Sequence, residues 1–208
     1  VFRTPLIEQS MKANLSERAH QTVSKLSTDI LARTAAFLLL KDSKSSYAIE
    51  GEALPQNRIQ RWGRVIGEAG RRPLDLDELL RLQRIVIGDS RFIKLGLRQE
   101  DGFVGEHEQG NRLPLPEHIS AKPEDLNALL QGMLDFDRRF AGELDAVLAA
   151  AMLAFGFVYT HPFEDGNGRL HRYLIHHVLA QRGFSPVGVV FPVSVGLQTL
   201  YETEAQII

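Results

Sequence analysis

The chain has 208 residues, and 44% of them are hydrophobic, which is enough to bury one sizeable core. A formal net charge of −2 at pH 7 argues against nucleic acid as a partner, because nucleic-acid binders carry a basic footprint for the phosphate backbone. The lack of cysteine excludes disulfides and thiolate metal sites, and the longest apolar runs, such as residues 35–40, are far too short to cross a membrane.

The N-terminal third of the chain predicts helices. Between residues 16 and 40, apolar side chains recur at helical spacing without an internal proline or glycine, which predicts at least one long helix. A polar break at residues 41–45 separates this helix from a short segment at 46–52, which Pro55 closes. Residues 57–66 and 75–87 predict two more helices, the second capped by Asp75 or Asp77.

Residues 97–106 carry the convincing β signal of the sequence. Asp101-Gly102 divides two short segments, and this dipeptide favours the two-residue type I′ turn of a hairpin. A connection through Pro114, Pro116 and Pro123 follows, which predicts a loop. The fold class predicted from the whole pattern is all-α, mainly helical, with one small β-hairpin.

Three helices are predicted in the second half of the chain, at residues 124–140, 144–159 and 170–181. The second is apolar on nearly every side and should lie in the centre of the domain. It leads directly to His161, and the third ends at Gly183. The helical pattern after Leu197 is not finished by the sequence, so whether the chain is a fragment stays open. We expect a cytoplasmic location and no contact with a membrane.

Residues 161–172, which read His-Pro-Phe-Glu-Asp-Gly-Asn-Gly-Arg-Leu-His-Arg, combine groups that handle phosphate. Gly166 and Gly168 remove side chains where backbone N–H groups must meet an anion, and the helical pattern resuming at Leu170 puts those groups at a helix N-terminus. Arg169 and Arg172 lie three positions apart, on one helical face. The run therefore predicts a phosphate-binding loop followed by a helix.

Two further side chains of this run indicate chemistry. Asp165 is a hard oxygen ligand of the kind that a magnesium–nucleotide needs. His161 can take a proton near neutrality because of its unperturbed pKa. The residues alone thus predict a phosphate site with a metal ligand and a base.

The run resembles the signature of the Fic family, which reads His-x-Phe-x-(Asp/Glu)-Gly-Asn-Gly and has arginines at its ninth and twelfth positions. Its defining positions are matched by His161, Phe163, Asp165, Gly166, Asn167, Gly168, Arg169 and Arg172. The resemblance implies a mainly helical Fic fold. It also implies an enzyme that transfers AMP from Mg-ATP to a Ser, Thr or Tyr hydroxyl of a protein target or of itself.

The same resemblance implies a role for each residue of the motif. His161 would be the general base, Asp165 would hold Mg²⁺, and Phe163 would anchor the loop in the core. The remaining positions would bind nucleotide: Gly166, Asn167 and Gly168 as the anion hole, Arg169 at the β-phosphate and Arg172 at the γ-phosphate.

A second motif lies upstream. Ser46-Tyr47-Ala48-Ile49-Glu50-Gly51 resembles the Ser/Thr-x-x-x-Glu-Gly/Asn inhibitory helix of many Fic proteins, in the class inhibited from its own N-terminal side. The resemblance implies that Glu50 pairs with Arg172 and that Ser46 shares a helical face with Glu50. We therefore expect an N-terminal helical region at 1–72, with the inhibitory helix at about 46–52, and a catalytic core at 73–208.

In the Fic family a β-hairpin flap beside the active site aligns the target by main-chain pairing, a physically reasonable way to hold a peptide extended. By this resemblance the hairpin at 97–106 is the flap. Its target-docking residues would be Leu97, Arg98, Gln99, Phe103, Val104 and Gly105. The expected partners are a protein target and ATP, and a homodimer is compatible with the N-terminally inhibited class.

Three alternatives to AMP transfer stay open. A Doc-like kinase would transfer the γ-phosphate, although that subfamily carries Lys where Gly168 stands; a de-AMPylase would use Glu50 to activate water; and a nucleotide-binding interaction module would be blocked permanently by Glu50. Two kinds of metal site are disfavoured, a histidine site and an EF-hand calcium loop. His171 and His176 are five apart, which does not align two ligands on a helix, and Leu170 replaces the glycine that an EF-hand loop requires.

Overall fold

A computed structural model describes residues 3–52, 55–88, 91, 93–108, 113–140, 142–186 and 189–204. Helices dominate these ranges, and one hairpin interrupts them. In chain order the elements are α1 (Pro5–Lys12), α2 (Leu15–Val23), α3 (Thr28–Ile49), α4 (Gln56–Gly67), α5 (Leu76–Ile87), β1 (Phe103–His107), β2 (Pro114–Ile119), a 3₁₀ turn (Pro123–Asp125), α6 (Leu126–Phe140), α7 (Ala146–Thr160), α8 (Asn167–Gln181) and α9 (Val193–Glu204).

The long helix of the N-terminal region differs from its prediction. The helical pattern at 16–40 is divided between α2 and α3, and Ser27 caps α3 by accepting a hydrogen bond from the N–H of Ile30 at 3.4 Å. The predicted break at 41–45 is wrong, because α3 runs through it. Asp42 and Ser43 are polar there because they bind neighbouring elements: Asp42 accepts from the N–H of Ser194, and Ser43 donates to the carbonyl of Ile59.

The separate inhibitory helix predicted at 46–52 is consequently the last turn of α3. That helix ends at Ile49, and Gly51 follows with φ at +71°, a left-handed conformation that favours glycine. Helix α3 packs against α4, α8 and α9. Residues 46–50 are therefore held by a 22-residue helix with partners on several sides rather than by a short segment.

One apolar cluster joins α3, α4, α5, α6, α7 and α8. Its largest fully buried members include Trp62, Tyr47, Tyr173, Phe157, Phe163, Ile66, Leu79, Leu82, Leu130 and Leu153. The predicted central position of α7 is only half right. Leu153, Phe157 and their neighbours are buried against α8, whereas Phe155 and Tyr159 are 62% and 60% exposed.

The hairpin is real, but the predicted turn at Asp101-Gly102 is wrong. Strands β1 and β2 pair antiparallel from Phe103 opposite Ile119 to His107 opposite Pro114, and the carbonyl of Gly102 accepts from the N–H of Ser120 at the base of this ladder. The chain reverses between 107 and 114, and residues 109–112 of that connection lie outside the described part. Prolines at 114 and 116 indicated a loop, but proline is tolerated in edge strands, and both strands here are edges.

The remaining predicted helices are present with small shifts. Asp75 caps α5 by accepting from the N–H of Glu78 at 2.8 Å, as predicted. Helix α8 begins at Asn167, three residues earlier than the apolar pattern indicated, so Gly166 is its N-cap and Gly168 belongs to its first turn. Within the described ranges, the structure contains no helix with the length and apolar character to span a bilayer.

Candidate active site

His161 stands at the junction of α7 and the phosphate loop. It is the residue that ends α7, in a left-handed conformation with φ at +51°, and its N–H still donates to the carbonyl of Phe157 at 3.1 Å. The carbonyl of His161 accepts a hydrogen bond from Nε of Arg98 at 2.8 Å. The rigid end of a core helix and a buried guanidinium together fix the backbone that carries the imidazole.

The imidazole of His161 is suited to act as a base. Burial lowers its pKa below the ordinary value of 6.5, so the ring is neutral at physiological pH. Nδ1 is buried, which leaves Nε2 as the nitrogen to exchange a proton with a ligand. The ring also lines a cavity of about 510 Å³, together with Leu97, Phe103 and Glu164.

The loop after His161 is anchored by Phe163 and Asn167. Phe163 is completely buried and packs edge-on against Phe157 at a centroid distance of 5.9 Å, which agrees with its predicted anchoring role. The amide of Asn167 accepts from the N–H of Phe163 at 3.0 Å and donates to its carbonyl at 2.8 Å. The Asn167 side chain was predicted to contact phosphate, but both of its polar atoms are used to close the loop.

The glycines of the loop shape the N-terminus of α8. Gly166 has φ at +96°, and a Cβ at this position would collide with the side chain of Val86. Gly166 is also the N-cap of α8 and has no side chain to satisfy the first N–H groups of the helix. These N–H groups and the positive end of the helix dipole are therefore available to an anion.

Arg169 is buried and bound by two carboxylates. Its Nη2 lies 2.6 Å from Oδ1 of Asp165, and its Nη1 binds Oε1 of Glu52. The guanidinium carbon also lies 5.4 Å from the ring centroid of Tyr47, a cation–π distance. Only 2% of the Arg169 side chain is exposed, so its position is closely fixed.

Arg172 is bound by the last turn of α3, as predicted. Its Nη2 lies 2.7 Å from Oε1 of Glu50 and 2.7 Å from the carbonyl of Ser46, and its Nε donates to Oγ of Ser46 at 3.0 Å. The same Oε1 of Glu50 occupies the space beside Gly168, where a Cβ would collide with it. Glu50 therefore both pairs with the second arginine and fills the gap that the glycine leaves.

Asp165 is placed where it can reach a metal ion. It is 40% exposed, and its Oδ1 contacts Arg169 and accepts from the N–H of Gly166 at 2.5 Å. No group of three or more metal-binding side chains occurs in the described ranges. Mg²⁺ is usually held by one or two carboxylates together with substrate phosphates, so a single aspartate beside an anion site fits this ion.

Four of the six predicted docking residues line the cavity in front of His161: Leu97, Arg98, Gln99 and Phe103. Leu97 forms an isolated β-bridge with Phe163, and Gln99 and Phe103 line the cavity wall. Val104 and Gly105 belong to β1 at an irregular point of the ladder. The side chain of Arg98 points inward instead: it donates to the carbonyls of His161, Glu100 and Ala121.

The sequence did not point to two contributors to the site. Glu52 binds Arg169 although it lies outside both motifs, and its position two residues after Glu50 was the available signal. Gln83 on α5 is fully buried; its Oε1 accepts from the N–H of Gly96, and its Nε2 donates to the carbonyl of Asp165. Gln83 thus ties the phosphate loop to the segment that leads into the cavity wall.

Two histidines of α8 have a polar partner in the core, although Nε2 of His177 has none among the described residues. His176 lies 3.0 Å from Oδ2 of Asp42, and Nδ1 of His177 accepts from the N–H of Gly70. Burial lowers the pKa of His171 to about 4, and the guanidinium of Arg172 acts in the same direction. None of the three is part of a metal-binding group within the described ranges.

Comparisons with known proteins point to one family. A family model described as the Fic/DOC family matches residues 73–179. Two curated relatives are named protein adenylyltransferase Fic: one from Nematostella vectensis, 31% identical over 119 residues, and one from Culex quinquefasciatus, 32% identical over 118 residues. These alignments cover 57% and 55% of this chain but only 26% and 21% of the relatives, so the chain spans about a quarter of their length.

Solved structures show the same fold. A Fic domain-containing signalling protein from Bacteroides thetaiotaomicron superposes with a TM-score of 0.70 at 21% identity, over 91% of this chain and 80% of that one. A Fic family protein from Desulfovibrio desulfuricans superposes with a TM-score of 0.67 at 18% identity, over 96% of this chain and 64% of that one. At these identities the similarity concerns the fold alone.

Proposed function

This chain belongs to the Fic/DOC family, and from that premise we propose that it transfers AMP from Mg-ATP to a Ser, Thr or Tyr hydroxyl of a protein and that Glu50 restrains this activity. Two predictions from the sequence are confirmed: the resemblance to the Fic family, and the all-α fold with a small hairpin. The observation that supports the proposal most directly is the placement of a neutral, cavity-facing His161 beside an uncapped helix N-terminus with two buried arginines.

In the proposed reaction the hydroxyl oxygen of the target attacks the α-phosphorus, and the bond from that phosphorus to the pyrophosphate oxygen breaks. His161 takes the hydroxyl proton on Nε2, since Nδ1 is buried. General-base assistance of this kind contributes about 10²–10⁴ in rate. The lowered pKa of His161 keeps the base deprotonated at neutral pH, which is the state that the step requires.

The nucleotide phosphates would lie at the first turn of α8. The backbone N–H groups around Gly166 and Gly168 would bind the anion, Arg169 the β-phosphate and Arg172 the γ-phosphate. Asn167 would contribute its backbone and the shape of the loop, because its amide is already bound to Phe163. Asp165 would hold a Mg²⁺ that neutralises charge on the phosphates.

Restraint by Glu50 rests on two effects that act together. The ion pair with Arg172 is partly exposed, because the Glu50 side chain is 31% accessible, and exposed pairs contribute only about 0–1 kcal/mol. The second effect is steric, since Oε1 of Glu50 fills the space beside Gly168 that a phosphate would need. If the competent state lies about 3 kcal/mol above the restrained state in free energy, roughly 1% of the molecules occupy it.

A target segment would bind along the hairpin beside His161. Strands β1 and β2 each have an unpaired edge in the two-stranded sheet, and an extended peptide can add to such an edge by main-chain hydrogen bonds. We propose the same functional division as the sequence indicated, with restraint in residues 1–72 and catalysis in 73–208. A second copy of the chain remains a proposed partner.

The test uses ATP labelled at the α- or the γ-phosphate, incubated with Mg²⁺ and with wild type, Glu50→Gly or His161→Ala. We expect weak α-label on wild-type protein, stronger α-label on Glu50→Gly and none on His161→Ala, with all three proteins equally folded by circular dichroism. Label retained only from the γ-phosphate would replace AMP transfer by Doc-like phosphoryl transfer. Equal labelling of the three proteins would dismiss the roles of both residues.

A further inference from the structure

The end of α3 brings a second acidic side chain to the phosphate site. Gly51 and Glu52 close the helix with two hydrogen bonds, from the N–H of Glu52 to the carbonyl of Tyr47 at 3.1 Å and from the N–H of Gly51 to the carbonyl of Ala48 at 3.0 Å. This pair of bonds around a left-handed glycine is the Schellman arrangement. It turns the chain back toward α8, so that Glu50 and Glu52 both face the arginines of the motif.

The two glutamates divide the two arginines between them. Glu50 binds Arg172 at 2.7 Å, and Glu52 binds Nη1 of Arg169. Tyr47, one turn before Glu50, stacks its ring on the same Arg169 guanidinium. One helix end therefore contacts both guanidiniums, and each contact has its own carboxylate.

We propose that Glu52 is a second inhibitory acid, which occupies Arg169 in competition with the β-phosphate and so sets the affinity for nucleotides that carry one. The inference rests on the proposed function, because it uses the assignment of Arg169 to the β-phosphate. Glu50 then accounts for only part of the restraint, since removal of Glu50 frees Arg172 and leaves Arg169 bound to Glu52.

The hydrogen-bond arrangement identifies Glu52 as the partner that a phosphate displaces. Arg169 uses Nη1 for Glu52 and Nη2 for Asp165, and its Nε is buried without a partner in the described ranges. Asp165 is four residues before Arg169 in the same loop and is the candidate Mg²⁺ ligand, so it stays beside the phosphates. Glu52 comes from the end of another helix and is 31% exposed, so it can swing into solvent.

The charge balance of the site supports the same conclusion. Three carboxylates, those of Glu50, Glu52 and Asp165, face the two guanidiniums of Arg169 and Arg172, which leaves one net negative charge where an anion must bind. Removing either glutamate makes the site neutral, and removing both leaves it positive. The affinity for the β- and γ-phosphates, which these two arginines would contact, should therefore rise in two separate steps.

The experiment measures binding of AMP and ADP by titration calorimetry in excess Mg²⁺, with wild type, Glu52→Gln, Glu50→Gly and the double variant. AMP lacks a β-phosphate and is the internal control for the rest of the pocket. Glu52→Gln should tighten ADP about fivefold, the upper end of what a partly exposed ion pair contributes, and leave AMP unchanged. The double variant should bind ADP more tightly than Glu50→Gly does.

Glu8→Gln on α1 is the matched control, because Glu8 is an exposed glutamate that is not among the hydrogen-bond partners of Arg169 and Arg172, and it should leave both affinities unchanged. Equal ADP affinity in wild type and Glu52→Gln, while Glu50→Gly binds ATP and labels itself, overturns the inference on Glu52 alone. Tightening of AMP by the same factor as ADP also overturns it. Absence of nucleotide binding and of labelling in every variant overturns the proposed function itself.

Discussion

Oε1 of Glu50 lies 2.7 Å from Nη2 of Arg172, although the two residues are 122 positions apart in the chain. This contact joins the end of α3 to the second turn of α8. Because Arg172 is only 6% exposed in its side chain, a phosphate can reach it only if the end of α3 changes its contacts. The state of α3 and the occupancy of the phosphate site are therefore coupled.

Ser46 should contribute to this coupling in a measurable way. Ser46→Ala removes one hydrogen bond to Nε of Arg172 but leaves the Ser46 carbonyl and Glu50 in place. Since a typical hydrogen bond contributes about 0.5–1.5 kcal/mol net, we expect self-labelling with α-labelled ATP to rise by about twofold to tenfold, less than in Glu50→Gly.

The matched control is Ser43→Ala. Ser43 lies about one turn before Ser46 on α3, and its substitution removes a buried hydrogen bond to the carbonyl of Ile59. Both substitutions should lower the free energy of unfolding by about 1 kcal/mol. Only Ser46→Ala should change the initial rate of labelling. A rise of the same size in Ser43→Ala would mean that loosening α3 anywhere relieves the restraint.

The pH dependence of labelling should report the buried state of His161. Burial lowers its pKa, and the neutral imidazole is the active form, so the rate should stay constant above about pH 7 and fall only as the pH drops below the ordinary value of about 6.5. The measurement uses the Glu50→Gly variant, with the ring resonances of His161 followed by NMR. A midpoint above that ordinary value, or an NMR titration that does not match the rate, contradicts the assignment.

The arrangement of residues at the proposed phosphate site could be predicted from the sequence because that arrangement is local. Gly166, Gly168 and the two arginines act through a single loop and the first turns of the helix that follows, so spacing along the chain determines their arrangement. The contact between Glu52 and Arg169 spans 117 positions and depends on how α3 docks on α8. No spacing rule connects residues so far apart.

The errors in the fold have the same origin. Residues 41–45 were predicted as a break because polar residues between apolar runs normally mark exposed turns. Here Asp42 is buried, and its carboxylate accepts a hydrogen bond from Ser194, which is 152 positions further along the chain. The β2 strand was missed because its prolines lack N–H donors, and only the observed edge position makes them compatible with a strand.

Asp42 should be a major determinant of stability. It is completely buried: its Oδ1 accepts from the N–H of Ser194 at the start of α9, and its Oδ2 accepts from the Ser194 hydroxyl and lies 3.0 Å from Nε2 of His176 on α8. Asp42→Ala leaves these buried groups unpaired and should lower the free energy of unfolding by about 3–5 kcal/mol in urea denaturation.

Asp29→Ala on the same helix supplies the comparison for Asp42. Its ion pair with Arg33 has side chains that are 69% and 80% exposed, so its loss should change the free energy of unfolding by less than about 0.5 kcal/mol. A similar loss in the free energy of unfolding for the two substitutions would show that the hydrogen bonds of Asp42 stabilise the fold no more than an exposed ion pair does.

Arg98 should position His161 rather than bind the target. Its guanidinium donates to three backbone carbonyls, those of His161, Glu100 and Ala121. The backbone N–H of Arg98 donates to the carbonyl of Pro162. Arg98→Lys keeps the charge but cannot reach three carbonyls in this fork geometry. In the Glu50→Gly background we expect the labelling rate to fall about tenfold or more, because a small displacement of a catalytic group is costly.

Two further measurements separate positioning from general damage around Arg98. The affinity for ATP should stay within about twofold of its parent, because the Arg98 guanidinium binds the carbonyls of His161, Glu100 and Ala121 and is not among the hydrogen-bond partners of Arg169 and Arg172. Arg98→Met should in addition raise the pKa of His161 by NMR, since the guanidinium charge is one of the causes that lower it, whereas Arg98→Lys should not. Arg139→Met on α6, an exposed arginine, should leave all three quantities unchanged. Loss of ATP affinity in parallel with the rate would instead assign Arg98 to the stability of the whole loop.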